Sequence, residues 1–213
     1  MDKGDFIKID YVGRLESAEI FDLTNEELAK KEKVYNPKIK YRPVPVIVGA
    51  GFVIPGLERA LLEMKLNEKR TVEIKPEDGF GMRNPKLVKV VPRNAFKGDF
   101  EPKQGLVVDF SGIKGRIQSV SAGRVMVDFN NPLAGKKLKY ELEIRERIED
   151  PIKQVESIFD FFGIEKVDVK INENMVDIEV KNLPAELKKK ISSLVTEYVS
   201  GLNKVRFIET YEK

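Results

Sequence analysis

The sequence predicts an α+β protein. Three observations carry this. Short runs of β-branched and aromatic residues alternate with charges at period two. Helical stripes recur at 55–64, 152–162 and 187–198. Asp150-Pro151 separates a β-rich stretch from a module that reads α-β-β-α-β over about 63 residues.

Each element follows in order. Phe6–Val12 is rich in β-formers and reads as a strand. Asn25–Lys33 is polar and helical, with Thr24 as the expected N-cap. Val44–Val48 carries a proline within it and another before it, which predicts an edge strand. Pro55 suits a first helical turn, and Leu57, Leu61 and Met64 share the face of a helix reaching Met64. Arg70–Ile74 reads as a strand and Pro76–Pro85 as a loop. Leu87–Val91 and Gly105–Phe129 form a second β-rich stretch, with turns expected at Ser111-Gly112, Lys114-Gly115 and Ala122-Gly123. Lys139–Arg145 alternates like a half-buried strand. Ile152, Val155, Phe159 and Phe162 make one helical stripe; Leu187, Ile191, Leu194, Val195 and Tyr198 make another. Between them, Val167–Ile171 and Val176–Val180 form a hairpin about Asn172-Glu173-Asn174, and Val205–Phe207 opens a last strand.

Composition removes several classes of chemistry. The 213 residues contain no Cys and no His. That excludes disulfides, thiolate or imidazole metal sites, and Cys–His or Ser–His nucleophile pairs. A carboxylate-held magnesium site is the metal chemistry left open. Lys and Arg number 38 against 35 Asp and Glu, a net charge of +3, too balanced for a dedicated nucleic-acid or polybasic membrane binder. Gly49-Ala50-Gly51 fails the dinucleotide fingerprint because Ile54 stands where its third glycine belongs, and Gly135-Lys136-Lys137 lacks the Ser/Thr of a phosphate loop. Met1–Asp5 is charged, unlike a signal peptide, and the uncharged stretch Pro43–Leu57 is shorter than the roughly 20 residues of a spanning helix. A cytoplasmic location is expected.

Several short segments acquire meaning as an ordered set: Tyr11-Val12-Gly13, Phe21-Asp22, Gly49, Val53-Ile54-Pro55-Gly56-Leu57-Glu58, Ala60-Leu61 and Phe80-Gly81. This set resembles the FKBP family of peptidyl-prolyl cis-trans isomerases. Asn131-Pro132-Leu133-Ala134-Gly135-Lys136-Lys137-Leu138 is similar to a segment of the SlyD-type branch, in which an insert-in-flap chaperone domain interrupts the isomerase. Residues 150–213 resemble the extra C-terminal domain of long archaeal members. The resemblance implies an antiparallel half-barrel wrapped on a helix (1–85 plus 131–149), an inserted small β domain (86–130) and a C-terminal α-β-β-α-β domain (150–213).

The implied reaction is rotation about an X–Pro bond, which needs no metal, nucleophile or cofactor because no bond to carbon forms or breaks. By resemblance, Tyr11, Asp22, Ile54 and Phe80 carry catalysis. Asp22 is expected at the slot's edge, hydrogen-bonded by Tyr11, with the Ile54 N–H on a substrate carbonyl. Phe21, Val44, Val46, Val53, Leu57 and Tyr140 would line the slot. Leu57 stands where many members have Trp, and Phe80 where many have Tyr.

The insert carries eight Lys and Arg against four Asp and Glu, a local net charge of +4. So small a β-module cannot bury all its apolar side chains. Val88, Val90, Val91, Phe96, Phe100, Phe110 and Ile113 are the candidates for a surface that grips unfolded chains. The expected partners are non-native proteins with X–Pro bonds, with no nucleic acid and no membrane. The C-terminal module is expected to pack on a neighbour or on a second copy of the chain, as a homodimer. The rival readings are a chaperone that holds clients with little isomerisation, and an RNA-associated factor using the basic insert.

Overall fold

The computed structural model describes residues 1–96, 100–110 and 112–210. Lys97 and Asp99, counted in the insert's charge, and Ser111 of the expected Ser111-Gly112 turn lie outside them. Strands β1 (Phe6–Leu15) and β2 (Ile20–Leu23) are followed by helix α1 (Glu26–Lys31), strand β3 (Val44–Ile47), helix α2 (Pro55–Glu63) and strand β4 (Lys69–Ile74). Next come β5 (Val88–Pro92), β6 (Val107–Phe110), β7 (Ile113–Ser121), β8 (Arg124–Asp128) and β9 (Leu138–Arg147). The last elements are α3 (Pro151–Phe161), β10 (Asp168–Asn172), β11 (Met175–Glu179), α4 (Ala185–Tyr198) and β12 (Lys204–Ile208). Two compact units result: 1–74 with 138–213, and 75–137.

In the first unit, β1 is central. It pairs with β9 along one side, and β9 pairs in turn with β4. On its other side β1 is shared end to end: Phe6–Ile9 pair with β3 and Val12–Arg14 with β2. All these pairings are antiparallel. Thr24 closes the seam between the two half-edges. Its hydroxyl accepts from the Tyr11 N–H at 3.0 Å and donates to the Asp10 carboxylate at 2.7 Å, while its own N–H donates to the Tyr11 carbonyl at 3.0 Å. This corrects the expected cap of α1. Thr24 is engaged by β1, and Asn25 caps the helix instead, accepting from the Leu28 N–H at 2.8 Å. The predicted edge strand forms, with Pro45 opposite Lys8.

Helix α2 starts at Pro55 and buries Leu57, Ala60 and Leu61, with Met64 as its C-cap. Burying each of Leu57, Leu61 and Met64 is worth roughly 1.5–3 kcal/mol. The C-terminal elements form the expected α-β-β-α-β order, with β10 and β11 antiparallel and β11 and β12 parallel. The Asn172–Asn174 turn is a hairpin, with Glu173 at φ 53°. The neighbour expected for this module lies within the chain. Val155, Ile158, Phe159, Ile191 and Val195 share one core with Phe6 and Ile47, and Ala50 and Phe52 pack against it. One stripe residue departs: Ile152, in the first turn of α3, is 38% exposed, and Ile158 is fully buried in its place.

The second unit holds a four-stranded antiparallel sheet ordered β5-β8-β7-β6, with Ile117, Val125 and Val127 at its core. The turn expected at Lys114-Gly115 is absent. Both residues lie inside β7, and Gly115 is opposite Val108. A Cβ there would stand 2.5 Å from Val127 Cγ1 and 2.8 Å from Phe129 Cε1, so this glycine serves close packing rather than chain reversal. No helix among the described residues is long and apolar enough to cross a membrane.

Candidate active site

Alternation along β1 puts Ile7, Ile9, Tyr11 and Gly13 on one face. The register sets Tyr11 opposite Leu142 and Gly13 opposite Tyr140, and Tyr140 opposite Val72 of β4. On the other side of β1, Gly13 faces Asp22 and Arg14 faces Ile20, which leaves Phe21 unpaired in a bulge. The Phe21 ring lies across Gly13. A Cβ on Gly13 would meet Phe21 Cζ at 2.7 Å and Tyr140 Cε1 at 3.1 Å, so the missing side chain makes room for the rings.

Three rings and one carboxylate therefore gather. Tyr140 meets Phe21 edge-on at 5.6 Å between centroids and Tyr11 at 6.0 Å. The Tyr11 hydroxyl donates to Asp22 Oδ2 at 2.9 Å, the contact expected from the sequence. Tyr140 is buried, Tyr11 and Phe21 are half-buried and Asp22 is exposed at the rim. Burial first, and the Asp22 carboxylate second, hold both phenols well above the usual tyrosine range. They are neutral hydrogen-bond donors at any physiological pH.

Helix α2 meets the same sheet face. Gly56 lets its first turn settle on β4, where a Cβ would lie 2.8 Å from Ile74 Cγ2. Ile74 is opposite Leu138, one inward pair along from Val72 and Tyr140. Leu57 follows Gly56 and is 3% exposed; Val53 and Ile54 before the helix are half-buried. Ile54 is the N-cap, in extended conformation, and its carbonyl accepts from the Leu57 and Glu58 N–H groups. The Ile54 N–H itself has no acceptor among the described residues. Glu58 reaches back to accept from the Gly49 N–H at 2.6 Å. Val44 and Val46 on β3 face Ile9 and Ile7 of β1, on the inward face.

Contacts thus join Tyr11, Phe21, Asp22 and Tyr140 directly, while Val44, Val46, Val53, Ile54 and Leu57 sit on elements bordering the same face. Phe80 belongs to the other unit, where it is half-buried after the turn at Pro76–Asp78. Sequence reasoning gave no site role to Gly13, Gly56, Thr24 or Glu58. A glycine inside a β-pattern is the signal that could have marked Gly13 as a place of close approach.

In the 75–137 unit, Val90, Phe100 and Ile113 are 60%, 42% and 63% exposed. Val88 is half-buried, and Val91, Phe96 and Phe110 are half-buried against the core. Phe96 stacks on Phe100 at 5.8 Å and meets Phe110 at 5.4 Å. The sequence reading missed Leu87, Leu106, Val107 and Met126, all exposed.

Three rings with a carboxylate at their rim, beside a helix whose N-cap offers an N–H with no acceptor among the described residues, form a site that can seat an apolar ring and hold a carbonyl. Comparison with known proteins makes the assignment specific. The family model for FKBP-type peptidyl-prolyl cis-trans isomerase matches residues 1–97, and one for the FKBP26 IF domain matches residues 89–133. The chain is 40% identical over 145 residues to the short-type peptidyl-prolyl cis-trans isomerase of Methanocaldococcus jannaschii, covering 68% of this chain and 92% of that one. A probable FKBP-type 16 kDa isomerase of Pseudomonas fluorescens is 38% identical over 107 residues, covering 48% of this chain and 71% of its own. The SlyD isomerase of Helicobacter pylori is 35% identical over 116 residues, covering 52% and 62%. The chain belongs to the FKBP-type peptidyl-prolyl cis-trans isomerase family.

Proposed function

We propose that the protein is a long-type, SlyD-like isomerase that rotates X–Pro bonds in non-native chains and holds those chains without ATP. In this reading 1–85 with 131–149 is the half-barrel, 86–130 the insert-in-flap chaperone domain and 150–213 the additional C-terminal domain. The clients are unfolded proteins, in the cytoplasm.

The observation that carries the reading is the ring cluster of Tyr11, Phe21 and Tyr140 with Asp22 at its rim. The uncatalysed barrier of about 18–20 kcal/mol comes from amide resonance. Twisting breaks that resonance, so the carbonyl loses negative charge and the proline nitrogen regains a lone pair. Water stabilises the planar, polar form more than the twisted one. A slot of rings strips that water and seats the proline ring. Whatever it binds better twisted than planar lowers the barrier. The Ile54 N–H takes a flanking carbonyl and fixes the strand on one side of the rotating bond. Asp22, steadied by the Tyr11 hydroxyl, lies toward the carbonyl that swings. Val53, Leu57, Val44 and Val46 complete the apolar wall. Phe80 stands in the sequence where many members carry Tyr, and Phe80→Tyr should leave activity equal or higher.

The deciding experiment is a protease-free assay on a proline tetrapeptide with the wild type and Asp22→Ala. We expect catalysis by the wild type and a clear loss in the variant; equal rates would remove Asp22 from the mechanism. Val90, Val107 and Ile113, each more than half exposed, favour a second reading in which client holding predominates. Val90→Glu with Ile113→Glu should then weaken suppression of client aggregation while sparing the tetrapeptide rate. Tethering slot and client surface on one chain raises local substrate concentration, so deleting 86–130 should slow catalysed refolding of a whole protein far more than tetrapeptide isomerisation.

A further inference from the structure

Building on the proline-slot reading, we propose that helix α3 of the C-terminal module supports the slot from behind: Phe161, through Phe52, and Asp160, through Arg42, are positioning residues for the Val53–Ile54 backbone and for the lead-in to β3.

Val53 and Ile54 follow a turn with two left-handed glycines, Gly49 at φ 77° and Gly51 at φ 75°. This turn belongs to no strand or helix. Among the described residues its backbone is tied by the Ala50 N–H to the Ile47 carbonyl at 3.2 Å and by the Glu58 carboxylate, which accepts from the Gly49 N–H at 2.6 Å and, at a long 3.5 Å, from the Val53 N–H. So lightly bonded a segment opens readily unless side chains pin it. The pins come from the C-terminal module. The Phe52 ring, next in sequence to Val53, lies 4.3 Å from the Phe161 ring, centroid to centroid. Ala50 and Phe52 both pack on the core made by α3 and α4. Phe161 is backed by Phe162 at 5.4 Å, and Phe162 is capped by the Lys190 ammonium of α4 at 5.1 Å.

The second grip lies on the other approach to the slot. Arg42 pairs with Asp160 and Lys40 with Glu165. Both cations stand just before Pro43 and Val44, where β3 begins. One end of α3 thus holds the turn that delivers the Ile54 N–H and, through its last acidic residue, the chain that delivers Val44 and Val46. A donor that must hold the carbonyl flanking a twisting amide tolerates little displacement, and a shift of about 1 Å can cost up to about a hundredfold in rate.

The test uses the full chain. Tetrapeptide kinetics well below the melting temperature are measured for Phe161→Ala, Phe161→Tyr, Asp160→Asn and Ile152→Ala, with the Ile54 and Gly13 amide resonances followed by NMR. We expect Phe161→Ala to lower kcat/KM about tenfold or more, chiefly through kcat, and to broaden or shift Ile54 but not Gly13. Phe161→Tyr should restore both. Asp160→Asn, on the rim, should act in the same direction by about two- to threefold. Ile152→Ala, on the exposed side of the same helix, should change nothing. If Phe161→Ala fails to fold, Asp160→Asn carries the same readouts. A variant that melts lower yet keeps wild-type kinetics and an unchanged Ile54 resonance overturns the proposal. An inactive wild type would defeat the slot reading instead, and the Ile54 resonance alone then decides the positioning claim.

Discussion

At the scale of single residues, the Tyr11–Asp22 hydrogen bond sets how firmly the carboxylate is aimed. A hydrogen bond of this kind contributes about 0.5–1.5 kcal/mol net, so Tyr11→Phe should lower kcat/KM on a tetrapeptide by about two- to tenfold. Retention of full activity would show that Asp22 needs no such anchor. The same two tyrosines make the fold sensitive to alkali. Their folded-state pKa values lie above the ordinary value of about 10, by burial first and by Asp22 second. The unfolded chain therefore releases these protons first as pH rises. Their contribution to stability is intact below about pH 10 and is lost progressively above it. Urea midpoints should hold between pH 8 and 9 and fall by pH 11, and Tyr140→Phe should flatten that fall. The Tyr11–Asp22 pair was anticipated through the resemblance to the FKBP family, since neither periodicity nor composition pairs a strand tyrosine with that carboxylate. The cap of α1 was not. Thr24 and Asn25 are both good caps, and only the three-dimensional demand of the Tyr11 N–H for a partner decides which of them turns toward the helix.

Among the elements, the bulge at Phe21 and the glycine beneath it form one device. Gly13→Ala forces a methyl group into the Phe21 and Tyr140 rings. Overpacking of this sort costs about 1–3 kcal/mol, and here it also displaces the slot's wall. Both the denaturation midpoint and the isomerisation rate should fall together; a loss of stability with undiminished activity would detach the rings from catalysis. Strands with clean alternation, such as β9 and β10, were readable because burial on one face imposes period two. Lys114-Gly115 was misread for the opposite reason. Sequence scores glycine as a breaker, whereas the crowding of Val127 and Phe129 that makes glycine necessary inside β7 arises only once β8 folds against it.

The whole molecule joins its N-terminal sheet to its C-terminal module through a continuous core. Phe6 and Ile47, 2% and 1% exposed, are covered in part by α3 and α4. Each such side chain returned to water costs roughly 1.5–3 kcal/mol. A chain ending at Glu149 should therefore melt at lower temperature and bind a hydrophobic dye; an unchanged melting temperature would mean that the shared core adds nothing. Two amphipathic helices and three alternating strands were plain in the last 63 residues, and so was their need for a partner. Which surface they choose was not, because Phe6 and Ile47 lie far away in sequence and look like ordinary strand residues.

The Thr24 seam has a consequence for how this chain tolerates length. Because one hydroxyl and one amide satisfy Tyr11 where no strand runs beside it, the excursion between the two half-edges carries none of the sheet's register. Residues gained or lost between Glu32 and Ile39 should cost the modest entropy of a longer loop and the local contacts of Tyr35 and Asn36 with Tyr41. Tyr11 keeps its footing whatever that excursion does, which makes this stretch a natural berth for grafted peptides.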